Sequence, residues 1–214
     1  MWSATSAMAG FYSSWMIPGI VLAAGQSSRM GQTKALMGIG EGETFLGRVV
    51  QTLRDGGVDD LVVVIGADAE GITAFVQRTS MAVRLVRNPA WEQGQLSSLL
   101  AGLNAIDHPG VTAALVTLID VPLVAPETVR TLLREYKLGS ALIARPASRG
   151  RHGHPVIFNR ALFDELRRAD PKEGAKHVVR AHASELLDVE IEDEGAFTDI
   201  DTPEEYARYI TGSR

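Results

Sequence analysis

The chain has 214 residues, 45% hydrophobic and 22% charged, with a formal net charge of −5 and no cysteine. That length supports one domain with a sizeable core. The acidic balance argues against a general nucleic-acid binder, which carries a basic excess. Without cysteine there is no disulfide framework, thiolate metal site or cysteine nucleophile. Any metal must be held by oxygen or histidine, which favours magnesium. No uninterrupted apolar run is long enough to span a membrane. Residues 1–18 lack the positive n-region and continuous apolar core of a signal peptide. The expectation is a cytoplasmic protein with no membrane or nucleic-acid partner. Residues 1–18 read as a poorly ordered N-terminal extension, and residues 19–214 as a single domain.

Residues 20–24 form an apolar run that breaks at Gly25, which predicts a buried strand. The following Gln26-Ser27-Ser28-Arg29-Met30-Gly31-Gln32-Thr33-Lys34 predicts a loop that exposes several backbone N–H groups. Gly25 and Gly31 admit backbone conformations closed to other residues. Ser27 and Ser28 add hydroxyl donors, and Arg29 and Lys34 add fixed positive charge. This is equipment for a polyanion, foremost a nucleoside triphosphate. The loop has neither the Gly-Lys-Ser/Thr of a Walker A motif nor the Gly-x-Gly-x-x-Gly of a dinucleotide fingerprint. A plain strand-to-loop turn with a surface Arg and Lys is the alternative.

Thr44 opens a helix with Phe45, Leu46, Val49, Val50 and Leu53 on one stripe, ended by Gly56-Gly57. Residues 60–65 predict a second buried strand, with Gly66-Ala67-Asp68 as its exit turn. A weaker helix over 69–78 and a short strand over 83–86 follow. The polar loop 87–95 feeds a helix carrying Leu96, Leu99, Leu100 and Leu103. Residues 113–119 predict a very apolar strand that runs straight into Asp120-Val121-Pro122-Leu123. A helix over 126–136, a strand over 140–144 and an Arg-, Gly- and His-rich loop over 145–154 come next. Then come a short strand over 155–158, helices over 160–168 and 174–181, and an edge strand over 186–191. Thr202-Pro203-Glu204-Glu205 is a capping box with Pro at the first helical position.

Strands alternating with helices predict a three-layer α/β/α, Rossmann-like fold with a mostly parallel central sheet. Ligands bind beyond the carboxyl ends of such strands. The loops after Ala24, after Ile65 at Gly66, and at Asp120 therefore share one rim. Asp120 is either a ligand-site acid or a cap for nearby N–H groups. Beside a triphosphate loop it could hold magnesium together with phosphate oxygens. Asp199 and Asp201 either favour the N-terminus of the last helix or bring Asp201 back to the rim as a second metal ligand. His152 and His154 lack a third metal ligand. With Arg145, Arg149 and Arg151 they fit anion recognition for a second, phosphorylated substrate. Lys176, behind Gly174-Ala175, is either part of that site or a solvated helix end. No serine carries a nucleophile-elbow pattern.

Leu22-Ala23-Ala24-Gly25 through Arg29-Met30-Gly31 and Lys34 resembles the signature loop of the nucleotidyltransferases related to MobA, most closely the MocA-like molybdenum cofactor cytidylyltransferases. The resemblance extends over Asn88-Pro89 with Trp91, Gly94 and Ser98, over Asp120-Val121-Pro122-Leu123, Gly153-His154-Pro155 and Gly174-Ala175-Lys176, and over Asp199-Ile200-Asp201-Thr202-Pro203. It implies Mg²⁺-dependent transfer of CMP from CTP to the phosphate of a molybdopterin-type cofactor, with release of pyrophosphate. It implies a nucleotide site at Leu22, Ala23, Ala24, Gly25, Ser27, Ser28, Arg29, Met30, Gly31, Lys34, Gly66 and Ser98. It implies an acceptor site at Asn88, Gly94, His154 and Lys176. Lys34, Arg29 and Asp120 would be catalytic, Asp120 and Asp201 would hold the metal, and a molybdenum-dependent enzyme would be a partner. Ala24 stands where guanylyl relatives tend to have Gly, which favours CTP over GTP. Ile119 and Lys176 depart from the family pattern and leave the acceptor open. The alternatives are a guanylyltransferase using GTP on the same cofactor, a non-catalytic carrier of that cofactor, and an oxidoreductase binding a flavin or nicotinamide.

Overall fold

A computed structural model describes residues 15–40 and 42–211. The strands are β1 (Gly19–Ala23), β2 (Gly38–Gly40), β3 (Glu43–Thr44), β4 (Leu61–Ile65), β5 (Arg84–Arg87), β6 (Ala113–Leu118), β7 (Ile143–Ser148), β8 (Arg151–His152), β9 (Val156–Asn159) and β10 (Leu186–Glu190). The helices are α1 (Phe45–Asp55), α2 (Ala69–Arg78), α3 (Gln95–Ile106), α4 (Pro126–Leu138), α5 (Phe163–Arg168), α6 (Ala175–Ala181) and α7 (Pro203–Tyr206).

The main sheet runs β10-β7-β9-β6-β1-β4-β5, with β8 paired to β7. β1 lies between β4 and β6, parallel to both, with Val21 opposite Val63 and Thr117. β1, β4 and the first five residues of β6 are buried throughout. Strands covered on both faces need continuous apolar runs, and these have them. One core lies between the sheet and α1, α2 and α4, built on Val21, Val63, Leu46, Ile72 and Leu132. The other lies under α3, α5 and α6, built on Ile20, Val64, Leu99, Leu103 and Leu166. Burying each such side chain contributes about 1.5–3 kcal/mol. α3 approaches β1 so closely that a Cβ on Gly102 would stand 2.5 Å from Ile20 Cγ2.

Several local expectations are corrected. The stretch 145–154 is not a loop. β7 extends to Ser148, and β8 returns through a tight turn at Arg149 (φ 49°) and Gly150 (φ 79°). Two successive positive φ values suit a two-residue hairpin turn. Residues 38–44 form a small antiparallel pair, β2 with β3. β9 is antiparallel to both β6 and β7. The helix expected over 160–168 begins as a 3₁₀ turn at Arg160–Leu162, and only Phe163–Arg168 is α-helical. Of the segment set apart at the N-terminus, Trp15 to Pro18 pack on the domain. Met16 bridges Val111, Trp15 meets Tyr136 edge-on, and Ile17 is buried. Residues 1–14 lie outside the described residues. No helix among the described residues is long and apolar enough to cross a membrane.

Candidate active site

The carboxyl ends of β1, β4, β6, β7 and β10 point to one rim, because these strands are mutually parallel or related through antiparallel β9. Two adjoining clefts open there. The first, about 370 Å³, is lined by Leu22, Ala23, Ala24, Gly25, Ser27, Ser28, Arg29, Lys34, Trp91, Gly94, Gln95, Ser98, Asp120 and Asp201. The second, about 650 Å³, has a floor of Leu96, Leu99, Val116 and Phe158, with Arg145, His152, His154, Lys172, Lys176 and Arg180 around it. Leu22, Gln95 and Leu118 line both.

The loop after β1 is held by its own turns. Ser27 (φ 52°) and Gly31 (φ 68°) both take left-handed conformations and bracket a single 3₁₀ turn. Ser27 Oγ accepts from the Lys34 amide at 3.2 Å. The Thr33 hydroxyl donates to Asp68, which also caps α2 by accepting from the Gly71 amide. α3 is preceded by Gly94, whose φ of 96° is open to glycine and which offers no side-chain cap. The Ser97 amide turns back to the Gly94 carbonyl at 3.2 Å, and Gly94 and Gln95 at this helix start line the first cleft.

At the centre stand Lys34, Asp120 and Asp201. Lys34 Nζ donates to Asp201 Oδ1 at 2.5 Å and lies 3.7 Å from Asp120 Oδ2, with its side chain only 8% exposed. Arg29 reaches Asp201 Oδ2 at 2.9 Å. Asp201 is 81 positions from Asp120 in sequence, yet Ile200 donates its amide to the Asp120 carbonyl at 2.8 Å. That bond and the capping box at Thr202 and Glu205 fix the return of the chain.

Burial pushes the Asp120 carboxyl up, only partly opposed by Lys34, and the charges of Asp199 and Asp201 push the same way. For Asp201 burial works upward too, but bonds from Lys34 and Arg29 outweigh it and hold the carboxyl down. Burial pushes the pKa of the His154 imidazole down, despite the opposing pull of Asp120. Asp120 Oδ1 and His154 Nδ1 are both buried without a hydrogen-bond partner.

An orphaned carboxylate oxygen beside a second carboxylate suits a divalent cation. Mg²⁺ takes one or two carboxylates and completes its shell with phosphate oxygens and water. No cluster of three or more His, Cys, Asp or Glu poised for a metal occurs among the described residues. Asp120 and Asp201 would supply two carboxylates and leave the rest of such a shell to a nucleotide and water.

Most residues expected at the nucleotide site line the first cleft. Met30 instead faces a small cluster with Met37, Phe45 and Ile200. Gly31 lines neither cleft, and Gly66 packs beneath Trp91 and the Ala24 carbonyl, where a Cβ would stand 2.6 Å from that oxygen. Of the acceptor residues, His154 and Lys176 line the second cleft, while Gly94 lines the first. Asn88 is buried and lines neither. It donates to the Ser97 and Ser98 hydroxyls and accepts from the Ala90 amide. A buried amide is spent on such partners, so Asn88 braces the loop that carries Trp91. Gln95 was not singled out in the sequence. Its only signal was its place as the first helical residue after Gly94.

A glycine-punctuated anion loop and a carboxylate pair, on the carboxyl rim of a mostly parallel α/β sheet, define a nucleotidyltransferase of the Rossmann-like layered type. Residues 19–186 match the family described as MobA-like NTP transferase domain, and the chain belongs to that family. The nicotine blue oxidoreductase of Paenarthrobacter nicotinovorans is 30% identical over 91% of this chain and 96% of its own length. The molybdenum cofactor guanylyltransferase of Rhizobium meliloti is 30% identical, with 88% of each chain covered. The crystal structure of Rv0371c from Mycobacterium tuberculosis H37Rv superposes with a TM-score of 0.75 at 30% identity, over 92% of this chain and 98% of that one. Rv0371c has also been crystallised in complex with manganese.

Proposed function

We propose that the protein is a divalent-metal-dependent cytidylyltransferase that transfers CMP from CTP to the phosphate of a molybdopterin-type cofactor and releases pyrophosphate. The observation that carries this reading is the pair of adjoining clefts that meet at Leu22, Gln95 and Leu118, with Lys34 and Asp120 lining the first. One cleft has the donors and cations for a triphosphate. The other has an apolar floor and a cationic rim, suited to a flat ring system bearing a phosphate. The relative named molybdenum cofactor guanylyltransferase supports the acceptor class.

In the reaction, an oxygen of the acceptor phosphate attacks the α-phosphorus, and the bond from that phosphorus to pyrophosphate breaks. No covalent protein intermediate is needed, so catalysis rests on positioning and charge neutralisation. The loop amides, Arg29 and Lys34 bind the triphosphate and offset the charge that builds on pyrophosphate. Lys176, Lys172 and Arg180 draw the acceptor phosphate toward the junction. Asp120 and Asp201 would hold Mg²⁺ or Mn²⁺, which supplies charge neutralisation at the α-phosphate. Ala24, 3% exposed at the base of the first cleft, narrows the space for the base and favours cytosine. GTP is the competing nucleotide, since relatives carry the name molybdenum cofactor guanylyltransferase.

A second reading is supported by the Paenarthrobacter relative, whose name is that of an oxidoreductase. The same rim would then bind a pyridine nucleotide or flavin. Pyrophosphate release from CTP, GTP and ATP, with molybdopterin cofactor and Mg²⁺, tests the first reading. CTP-dependent release supports it, and GTP-dependent release moves the assignment to a guanylyltransferase. Oxidation of NADH or NADPH without any pyrophosphate release overturns it in favour of the second.

A further inference from the structure

Both oxygens of Asp201 are taken by cations from the phosphate loop, Oδ1 by Lys34 at 2.5 Å and Oδ2 by Arg29 at 2.9 Å. The Lys34 ammonium also lies 3.7 Å from Asp120. It thus stands between the two carboxylates fitted to hold a metal. We propose that Lys34 is a built-in stand-in for that metal, closing the seat between Asp120 and Asp201 until a nucleotide's phosphates draw the ammonium away. The proposal rests on the metal and nucleotide reading of this site and deepens it to a rule for how the two ligands enter.

The physics is a matter of charge. A divalent cation and an ammonium cannot share two carboxylates at these distances without strong repulsion. The Lys34 side chain is almost fully buried, so an ammonium expelled without a new counterion is left uncompensated, which is costly. A metal arriving alone therefore meets a closed seat. A nucleotide arriving alone has the opposite problem. Its phosphates draw Lys34 and Arg29 away and leave Asp120, Asp199 and Asp201 with their mutual repulsion, already felt at Asp120. Only the two ligands together give every charge a partner. The coupling is positive and, by linkage, equal in both directions. The movement is confined to the side chain, because the Lys34 amide stays on Ser27 Oγ and the backbone lies in a 3₁₀ turn.

The test uses Mn²⁺ as the probe, its binding to the full chain followed by electron paramagnetic resonance in the absence of nucleotide. Lys34→Met removes the ammonium and keeps the side chain's length. Its Mn²⁺ affinity is expected to rise on the order of tenfold above the parent's, although its activity is lost. Arg29→Met, at an exposed residue, gives a smaller rise and decides the matter if Lys34→Met does not fold. Thermal stabilisation of the parent by Mn²⁺ with CTP is expected to exceed the sum of Mn²⁺ alone and CTP in chelator. Mn²⁺ affinity unchanged or weakened in the folded variants overturns the stand-in role while leaving the nucleotide reading intact. If Mn²⁺ and CTP together leave the parent's stability unchanged, both fail.

Discussion

Asp120 shows how one residue's chemistry follows from its neighbours. It lies in the turn just beyond β6, where burial disfavours its charge and Lys34 only partly offsets this. Its Oδ1 is buried without a hydrogen-bond partner in the unliganded protein. Asp120→Asn keeps the shape and removes the charge. Loss of one aligned charge-stabilising group in a site of this kind costs about a hundredfold or more in turnover. Asp120→Asn and Lys34→Met are therefore expected to lose at least that much pyrophosphate release, with unchanged far-ultraviolet circular dichroism. A variant turning over at near the parent rate would remove the residue from the reaction. Ala24 is the second residue-scale test. Ala24→Gly removes one methyl from the floor of the first cleft, and one such group shifts selectivity by about 1–3 kcal/mol. The ratio of CTP to GTP turnover is expected to fall by about ten- to two-hundredfold. An unchanged ratio would place base selection elsewhere, with Trp91 the next residue to vary.

At the scale of elements, the rim is assembled by close backbone contacts that only glycine permits. A Cβ on Gly153 would stand 2.1 Å from the Ala196 carbonyl oxygen, and one on Gly195 would stand 2.0 Å from that of Leu123. The His154 amide donates to the same Ala196 oxygen at 2.9 Å. Gly153→Ala must push the segment before β9 away from the segment that returns Asp201. Overpacking of this kind costs about 1–3 kcal/mol, and calorimetry should show a Tm lower by several degrees, at about 2–4 °C per kcal/mol for a chain this long. A second element-scale device joins α5 to α6. His182 meets Glu185 at 2.8 Å and Glu165 at 2.7 Å. These bonds raise its pKa above the ordinary 6.5. A raised folded value stabilises fully below the unfolded one and loses that contribution as pH rises through the folded one. The Tm deficit of His182→Gln should be largest below pH 6.5 and should shrink at alkaline pH; a deficit independent of pH would refute the charged pair. Legibility at this scale was uneven for physical reasons. α2 was readable to the residue because Asp68 caps it and its apolar spacing is helical. The direction of β9 was not, since period-two alternation is the same in parallel and antiparallel strands. The β7–β8 hairpin hid behind Arg-Gly, a weaker turn signal than Asn-Gly. Asp120 was legible as a strand-end acid, whereas its contact with Lys34 depends on tertiary packing that no spacing encodes.

For the whole molecule, the site binds together parts of the chain that are far apart in sequence. Lys34 comes from the loop after β1, Asp120 from the end of β6, and Asp201 from beyond β10, and only the folded sheet brings them to one place. Unfolding therefore destroys the site completely, and a ligand that bridges these segments binds the native state alone. Such binding adds stability by mass action, about 2.7 kcal/mol at a hundred times Kd. For a domain of this size that corresponds to a Tm rise of about 5–11 °C. CTP with Mg²⁺ is expected to give a rise of that order, concentration-dependent and without saturation at the Kd. Asp201→Asn should reduce it sharply, because one anchor of the bridge is lost, while the unliganded Tm changes far less. The unliganded change is smaller because Asp201 is partly exposed, its pair with the exposed Arg29 is screened, and Lys34 keeps Asp120 at 3.7 Å as a counterion. A liganded rise that survives intact in Asp201→Asn would mean that the C-terminal segment packs against the site without taking part in it.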